Sequence, residues 1–490
     1  MKKVIAGLIL SACTVSTAFA DATNQDLMNA LTDMKNQMGT MQSTIDRQNL
    51  RIQQLESNRV IETPQPSTSV QAPSAMSDMD FQKSLKDNIG EAVTWMKGLK
   101  QGGDFRLRYE SFNYTDKNND AGSTGTTADR TRNRFRIRLR WGVEKDFMDD
   151  WKVGFRLATG STTDPNSTNQ TLGNNGYFNF KTFNVDRAYA IWEPNGLKDY
   201  GAITGVKVGA GKFDNPFLRY STTIVWDADV TPEGAYEQVN FKLMNTEDTQ
   251  VNLYTTAGQF IVNENAAAES DAALYGYQGA LNVSTYAWGT DQPVDISTAV
   301  SFYDYTNWFQ TVTNNTAATS YLRTNSIVAD DFRVLDIYPE VVFYMNRTPV
   351  TVWYDYAQNL GNVGTTDIDR SLGNDIHDTD TAWGAGLKFG KLKTKGTWEA
   401  FYGYYEIGAN AVVAAFNDSD FGGPGTNGFT NRKGHKFGLA YQVTDSMSLN
   451  WTGYLVRPLN ATSIGSATLG LGNATNETVF RSQLDAVYKF

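Results

Sequence analysis

Arg134-Phe135-Arg136-Ile137-Arg138-Leu139-Arg140-Trp141 alternates without a break, arginine on one face and an apolar side chain on the other. A period of two is the signature of a β-strand. In a water-soluble sandwich the apolar face would meet another sheet. Four guanidiniums on one face need water, because an arginine facing lipid at mid-bilayer depth costs about 2–4 kcal/mol. The octet therefore predicts a sheet that is apolar outside and wet inside, a transmembrane β-barrel.

The same texture runs outward from this strand. Gly103-Asp104-Phe105-Arg106-Leu107-Arg108-Tyr109-Glu110 repeats the alternation one strand earlier, and Lys152 and Arg156 occupy the matching face one strand later. Arg106, Arg108, Arg134, Arg136, Arg138, Arg140, Lys152 and Arg156 are thus the expected lining of a basic wall. Some of them are expected to pair with Glu110, Glu144 or Asp146 and stiffen the wall, leaving the central ones freer.

Alternating segments recur at 103–112, 131–145, 151–160, 178–192, 205–213, 235–243, 249–258, 273–285, 294–305, 332–344, 350–358, 381–389, 397–406, 435–443, 447–456 and 478–490. They predict about sixteen antiparallel strands. A strand of about 10 residues, tilted near 45°, spans roughly 24 Å, the height of the apolar band of such barrels. Connections at 147–150, 245–248, 346–349, 390–396 and 444–446 are short, whereas those starting near 113, 161, 214, 306, 359, 407 and 457 are long. Short turns on one side and long loops on the other form the outer-membrane pattern, and an even strand number puts both chain ends in the periplasm. The chain closes on Leu484-Asp485-Ala486-Val487-Tyr488-Lys489-Phe490, where Tyr488 and Phe490 resemble the terminal aromatic signal read during barrel assembly.

Composition agrees with a strand-rich chain: aromatics make up 12% of 490 residues, and there are only 12 prolines and 1 cysteine. Past the first two dozen positions no apolar run reaches the length of a helical membrane span. A net charge of −10 argues against a basic nucleic-acid footprint. Residues 1–20 read as a secretory signal, with Lys2 and Lys3, an apolar stretch and an Ala18-Phe19-Ala20 cleavage site. Leu10-Ser11-Ala12-Cys13 offers a competing lipoprotein reading.

Residues 21–58 carry Leu27, Leu31, Met34, Met38, Met41, Ile45, Gln48, Ile52 and Leu55 at alternating spacings of four and three. That repeat predicts a periplasmic α-helical coiled coil of about four heptads, in which the polar Gln48 would fix register or strand number. Residues 59–79, with Pro64, Pro66 and Pro73, read as an extended linker. Residues 80–101 read as an amphipathic helix or a lead-in to the barrel, which then occupies 102–490.

The Gly103–Glu110 start, the arginine-rich second strand, Trp226-Asp227-Ala228-Asp229-Val230-Thr231-Pro232-Glu233-Gly234, and Asp418 to Asn427 together resemble the family of β-barrel channels known as "putative porins". The resemblance covers roughly residues 100 to 490. It implies outer-membrane residence and passive diffusion of small hydrophilic solutes through a homotrimer. In porins the third external loop commonly folds inward, which would set Asp227, Asp229 and Glu233 against the arginine wall and create a transverse field. The constriction motif of general porins is absent. An N-terminal heptad extension resembles that of sugar-specific porins, and an arginine ladder that of phosphate-selective ones, so an anion- or sugar-selective channel is the alternative. A spacer joining outer membrane to cell wall through the coiled coil is another.

A barrel-embedded hydrolase is the weakest alternative. His377 and His435 sit in no metal spacing and no nucleophile context. Asp420-Phe421-Gly422 lacks every companion of the kinase tripeptide. Neither a cofactor nor a metal is expected.

Overall fold

The computed structural model describes residues 97–115, 130–147, 149–162, 164–174, 176–198, 200–218, 223–265, 270–286, 292–308, 332–361, 380–422, 430–459 and 478–490. The signal segment, the coiled-coil seam, the linker, residues 80–96 and His377 lie outside them.

Sixteen long strands follow one another: β1 Leu99–Thr115, β2 Arg130–Asp146, β3 Trp151–Thr159, β4 Phe183–Trp192, β5 Ile203–Lys212, β6 Glu233–Asn245, β7 Thr249–Asn263, β8 Ala272–Thr285, β9 Val294–Thr306, β10 Phe332–Met345, β11 Thr348–Asn359, β12 Thr381–Gly390, β13 Trp398–Ile407, β14 Arg432–Gln442, β15 Met447–Pro458 and β16 Thr478–Lys489. A two-residue strand, Gln170–Thr171, adds to β2 from within the second long connection. Each long strand pairs antiparallel with its sequence neighbours, and β16 pairs back onto β1 from Asp104↔Lys489 to Thr115↔Thr478, so the sheet closes on itself. Closure removes every free edge, the requirement for strands in hydrocarbon. At the seam Gly103 N–H donates to the Phe490 carbonyl at 2.9 Å, and Phe490 N–H returns a bond at 3.1 Å. No helix among the described residues is long and apolar enough to cross a membrane.

The alternation of the sequence becomes the two faces of the wall. Phe135 is 53% exposed and Leu107 42%, while their neighbours Arg108 and Glu110 are 4% and 0% exposed. Apolar side chains point outward around the barrel, including Val185, Tyr277, Val300, Val352, Leu439 and Leu484. At the short-turn end the exposed residues include many aromatics, among them Phe147, Trp151, Tyr344, Trp398, Tyr441 and Tyr488, beside Leu243, Met244 and Met345, as in the aromatic girdle of a membrane interface.

The barrel interior holds the core. Phe217, Trp226, Phe260, Tyr303, Trp308, Phe332 and Phe421 form one buried cluster contributed by wall strands and by the β5–β6, β9–β10 and β13–β14 connections. Small residues on the wall make room for it: a Cβ at Gly276 of β8 would collide with the Phe217 ring.

Several boundaries depart from expectation, among them β7, which runs to Asn263 instead of residue 258, and β14, which begins at Arg432 instead of residue 435. β1 begins at Leu99, ahead of Gly103, and its first residues pair with the end of β2, Leu99↔Lys145. β4 begins at Phe183, not residue 178: Tyr177 and Phe178 take positive φ (49° and 57°), a left-handed conformation that ends any strand.

Candidate functional site

The arginine-bearing face of β1 and β2 looks inward, and carboxylates from three parts of the chain meet it. Arg108 grips Asp485 of β16 with both arms, Nε to Oδ1 at 2.7 Å and Nη2 to Oδ2 at 2.8 Å, and reaches Asp420 with Nη1 at 2.9 Å. Arg138 and Arg140 share Asp104, their Nε groups donating at 2.9 and 2.7 Å. Arg134 pairs with Glu110, which also accepts from Arg481 Nε at 2.8 Å and Gln483 Nε2 at 2.9 Å. Fork geometry matched to carboxylate geometry is what allows charges to persist at such low exposure.

Arg106 and Arg136 differ. Among the described residues neither touches a carboxylate. Arg106 Nη2 donates to Asn169 Oδ1, and Arg136 Nη2 to the Asn169 carbonyl at 3.4 Å and Ser167 Oγ at 3.5 Å. Both Nε atoms are buried without an acceptor. Lys152 lies 3.8 Å from Glu144, 3.9 Å from Glu193 and 4.0 Å from Asp146. Arg156 is held by Asp186.

Facing this wall inside the barrel are segments of the connections between β3 and β4, β5 and β6, and β13 and β14, the second, third and seventh on the long-loop side when the short one between β7 and β8 is counted. The third, between β5 and β6, docks through Phe217, edge-on to Tyr303 at 5.1 Å, and Trp226, stacked on Phe416 of the seventh at 5.5 Å. Asp227 accepts from Ser419 N–H at 3.1 Å and its own N–H donates to the Phe416 carbonyl at 2.6 Å. Asp229 accepts from Thr168 N–H at 3.2 Å and Thr168 Oγ1 at 2.9 Å, and from Arg140 Nη1 at 3.3 Å. Asp420 accepts from Arg481 Nη2 at 2.6 Å besides Arg108. Lys436 of β14 ties Asp418 at 2.7 Å to Thr223 at 3.1 Å.

These contacts divide the loop carboxyls. Burial pushes Asp229 upward, but Arg138 and Arg140 outweigh it and hold the group below its ordinary value. Asp420 is driven down further by Arg481 and Arg108 against the same burial cost. Asp227 goes the other way, raised by burial and by neighbouring Asp229 and Asp418. Asp164 is pushed up to about 7, chiefly by burial. It helps line a cavity of about 750 Å³ between the second, third and seventh connections, whose other walls include Asp229, Trp226, Phe260 and Trp308.

The structure thus brings Arg106, Arg108, Arg134, Arg136, Arg138 and Arg140 together on one inner face and sets Asp229 against Arg138 and Arg140, while Asp227 accepts from Ser419 N–H and Asp229 N–H within the inward loops. Glu233, expected in the same loop, is the first residue of β6 and pairs with Lys212 at 2.8 Å. Tyr488 and Phe490 end the closing strand, both exposed. Sequence reasoning passed over Arg481, Asp104, Asp485, Asp420 and Lys436. The signal for Arg481, Gln483 and Asp485 was present, since they alternate with Phe480, Ser482 and Leu484 on the inner face of β16. Among the described residues no group of three or more His, Cys, Asp or Glu could hold a metal ion. The site offers fixed charge and hydrogen-bond donors.

The model of the family described as "Putative porin" matches residues 86–328 and 310–472 of this chain. Among solved structures, Pseudomonas putida OprB at high pH is similar at 10% identity and TM-score 0.45, covering 82% of this chain and 97% of that one. Salmonella typhi OmpF in complex with daunomycin is similar at 11% identity and TM-score 0.43, with 80% and 97% covered. The outer membrane channel DcaP of Acinetobacter baumannii is similar at 15% identity and TM-score 0.39, with 80% and 97% covered. No curated protein sequence matches.

Proposed function

The chain belongs to the "Putative porin" family, and from that membership together with its charged interior we propose an outer-membrane channel through which small hydrophilic solutes and ions diffuse passively. The carrying observation is the inversion of the wall, apolar side chains exposed outside and guanidinium–carboxylate pairs inside. Lipid can solvate only the first and water only the second. Arg106, Arg108, Arg134, Arg136, Arg138, Arg140, Lys152 and Arg156 are assigned to the wall of the aqueous path. The third and seventh connections narrow that path, with Asp229 supplying the opposing charge of a transverse field, while Asp227, raised by burial and its acidic neighbours, ties the third connection to the seventh. The heptad repeat of residues 27–55 supports self-association through an extension in the periplasm, and the assembly proposed is a trimer.

Purified full-length protein in planar bilayers tests this reading. Discrete current steps whose size grows linearly with KCl concentration are the expected result. A membrane left electrically silent by correctly inserted protein overturns it.

A further inference from the structure

We propose that Arg106 and Arg136 form a binding site for a small oxyanion inside the barrel, with Asn169 occupying it in the empty protein. The inference rests on the channel reading and gives that channel a ligand chemistry.

The argument begins with charge balance. Arg106, Arg108, Arg134, Arg136, Arg138, Arg140 and Arg481 project into one region, and among the described residues the carboxylates that touch them are Asp104, Glu110, Asp229, Asp420 and Asp485. Within that described set seven cations face five anions, which leaves two positive charges over. The structure shows where they reside: Arg106 and Arg136 are the two members of the set with no carboxylate among the described residues.

Geometry then makes the pair a site. Arg106 lies opposite Arg138 and Arg108 opposite Arg136 in the β1–β2 register, so Arg106 and Arg136 are diagonal neighbours on the inner face, about 7–8 Å apart at Cα. Both reach toward the same residue, Asn169, through Nη2, while both Nε–H groups are left without an acceptor. A carboxylate or phosphate meets arginine along the Nε/Nη2 edge, one oxygen on each nitrogen. Here the Nη2 half of each edge is filled by a neutral amide oxygen, and the Nε half is vacant. An oxyanion that displaces the Asn169 side chain takes both halves of the Arg106 edge and the open Nε of Arg136, and neutralises a buried charge, which the amide cannot do. The Asn169 backbone is held between Thr168, bound to Asp229, and the Gln170–Thr171 strand on β2, so its side chain is the part that turns aside while the guanidiniums stay on paired strands.

The test uses purified full-length protein in planar bilayers, with potassium acetate or inorganic phosphate added to a KCl background at fixed pH. Saturable block of the chloride current by either anion is expected, and whichever saturates identifies the source of the oxyanion. In R106Q/R136Q the block should weaken about tenfold or more, since charge-assisted bonds on both sides are lost. R106K/R136K keeps the charge but not the planar fork. It should retain the anion preference in the reversal potential and still lose the block. Asn169→Ala, which removes the side-chain acceptor held by Arg106, should bind the anion more tightly.

Block that never saturates, or saturates equally in R106K/R136K, overturns the site and leaves the channel intact. A protein that carries no current overturns the channel. The site is then read from ³¹P line broadening of phosphate with the detergent-solubilised protein, where no difference between the native chain and R106K/R136K overturns it as well.

Discussion

Arg108 on the first strand holds Asp420 on the seventh connection at 2.9 Å, across 312 positions of sequence. Because Arg481 grips the other oxygen of the same carboxylate, one aspartate fastens an inward-folded segment to both sides of the seam where the barrel closes. The seventh connection is therefore part of the interior architecture, alongside the third.

Asp420→Asn should loosen that segment without unfolding the wall. Arg108 retains Asp485 and Arg481 retains Glu110, so the cost should be about 1–3 kcal/mol and not the larger loss expected when a buried charge keeps no partner. Single-channel records should show a larger and noisier conductance, and residues 408–422 should become cleavable by a protease of broad specificity. A variant with native conductance and native protection would separate the ion pair from loop placement.

The same pair sets a pH dependence. Asp420 is held well below its ordinary value of 3.8 by Arg481 and Arg108. Its contribution is full above the unfolded value and is lost only as pH falls through the depressed one. Asp164 has the opposite sign. Raised by burial to about 7, it favours the docked second connection at low pH, and that support declines as pH rises from about 4 to about 7. Protection factors of the amides over residues 160–170, with the intrinsic pH dependence of exchange divided out, should fall across this window, and Asp164→Asn should remove the fall. Protection factors that are flat from pH 4 to 8 in the native chain contradict the assignment.

Most of the barrel was legible because its cause is local. Alternation at 131–145 or 273–285 is written residue by residue, and the observed strands Arg130–Asp146 and Ala272–Thr285 follow it closely. The error at β4 has a local cause too: Tyr177, Phe178 and Phe180 look like strand residues, yet Gly173 and Gly176 turn the chain there with positive φ. The interior was less legible. Nothing near Asp418-Ser419-Asp420 announces partners on β1, β14 and β16, since pairing over hundreds of residues leaves no periodic trace. Asp227 and Asp229 were found through the likeness to porins, and Glu233, only four residues past Asp229, falls instead at the start of a strand.

Wall polarity is open to direct perturbation. Leu139 faces outward and its neighbour Arg138 inward. Leu139→Arg should destabilise the inserted barrel by about 2–4 kcal/mol if it lies near mid-depth. The temperature at which the protein loses its folded mobility in detergent gels should drop accordingly, whereas Leu139→Ile should leave it nearly unchanged. Equal melting of the two variants would argue against a lipid-facing position.

Docking of the third connection depends on a glycine. Gly276→Val places side-chain atoms where the Phe217 ring lies, so Phe217 and its edge contacts with Phe260 and Tyr303 must be displaced. The strand itself should survive, because valine suits a strand. The expected outcome is an altered conductance with unchanged strand content by circular dichroism. Loss of the barrel signal would instead make Gly276 a requirement of the wall.

The most direct measurement of which face meets lipid is a spin-label scan of residues 134–141 in liposomes, one cysteine at a time, in a chain whose single native cysteine, Cys13, has been replaced. Labels at 135, 137, 139 and 141 should be relaxed mainly by oxygen dissolved in the bilayer, and those at 134, 136, 138 and 140 mainly by a water-soluble nickel chelate, with a period of two. Oxygen dominating at the even positions, or no alternation at all, would contradict an aqueous interior behind a lipid-facing wall.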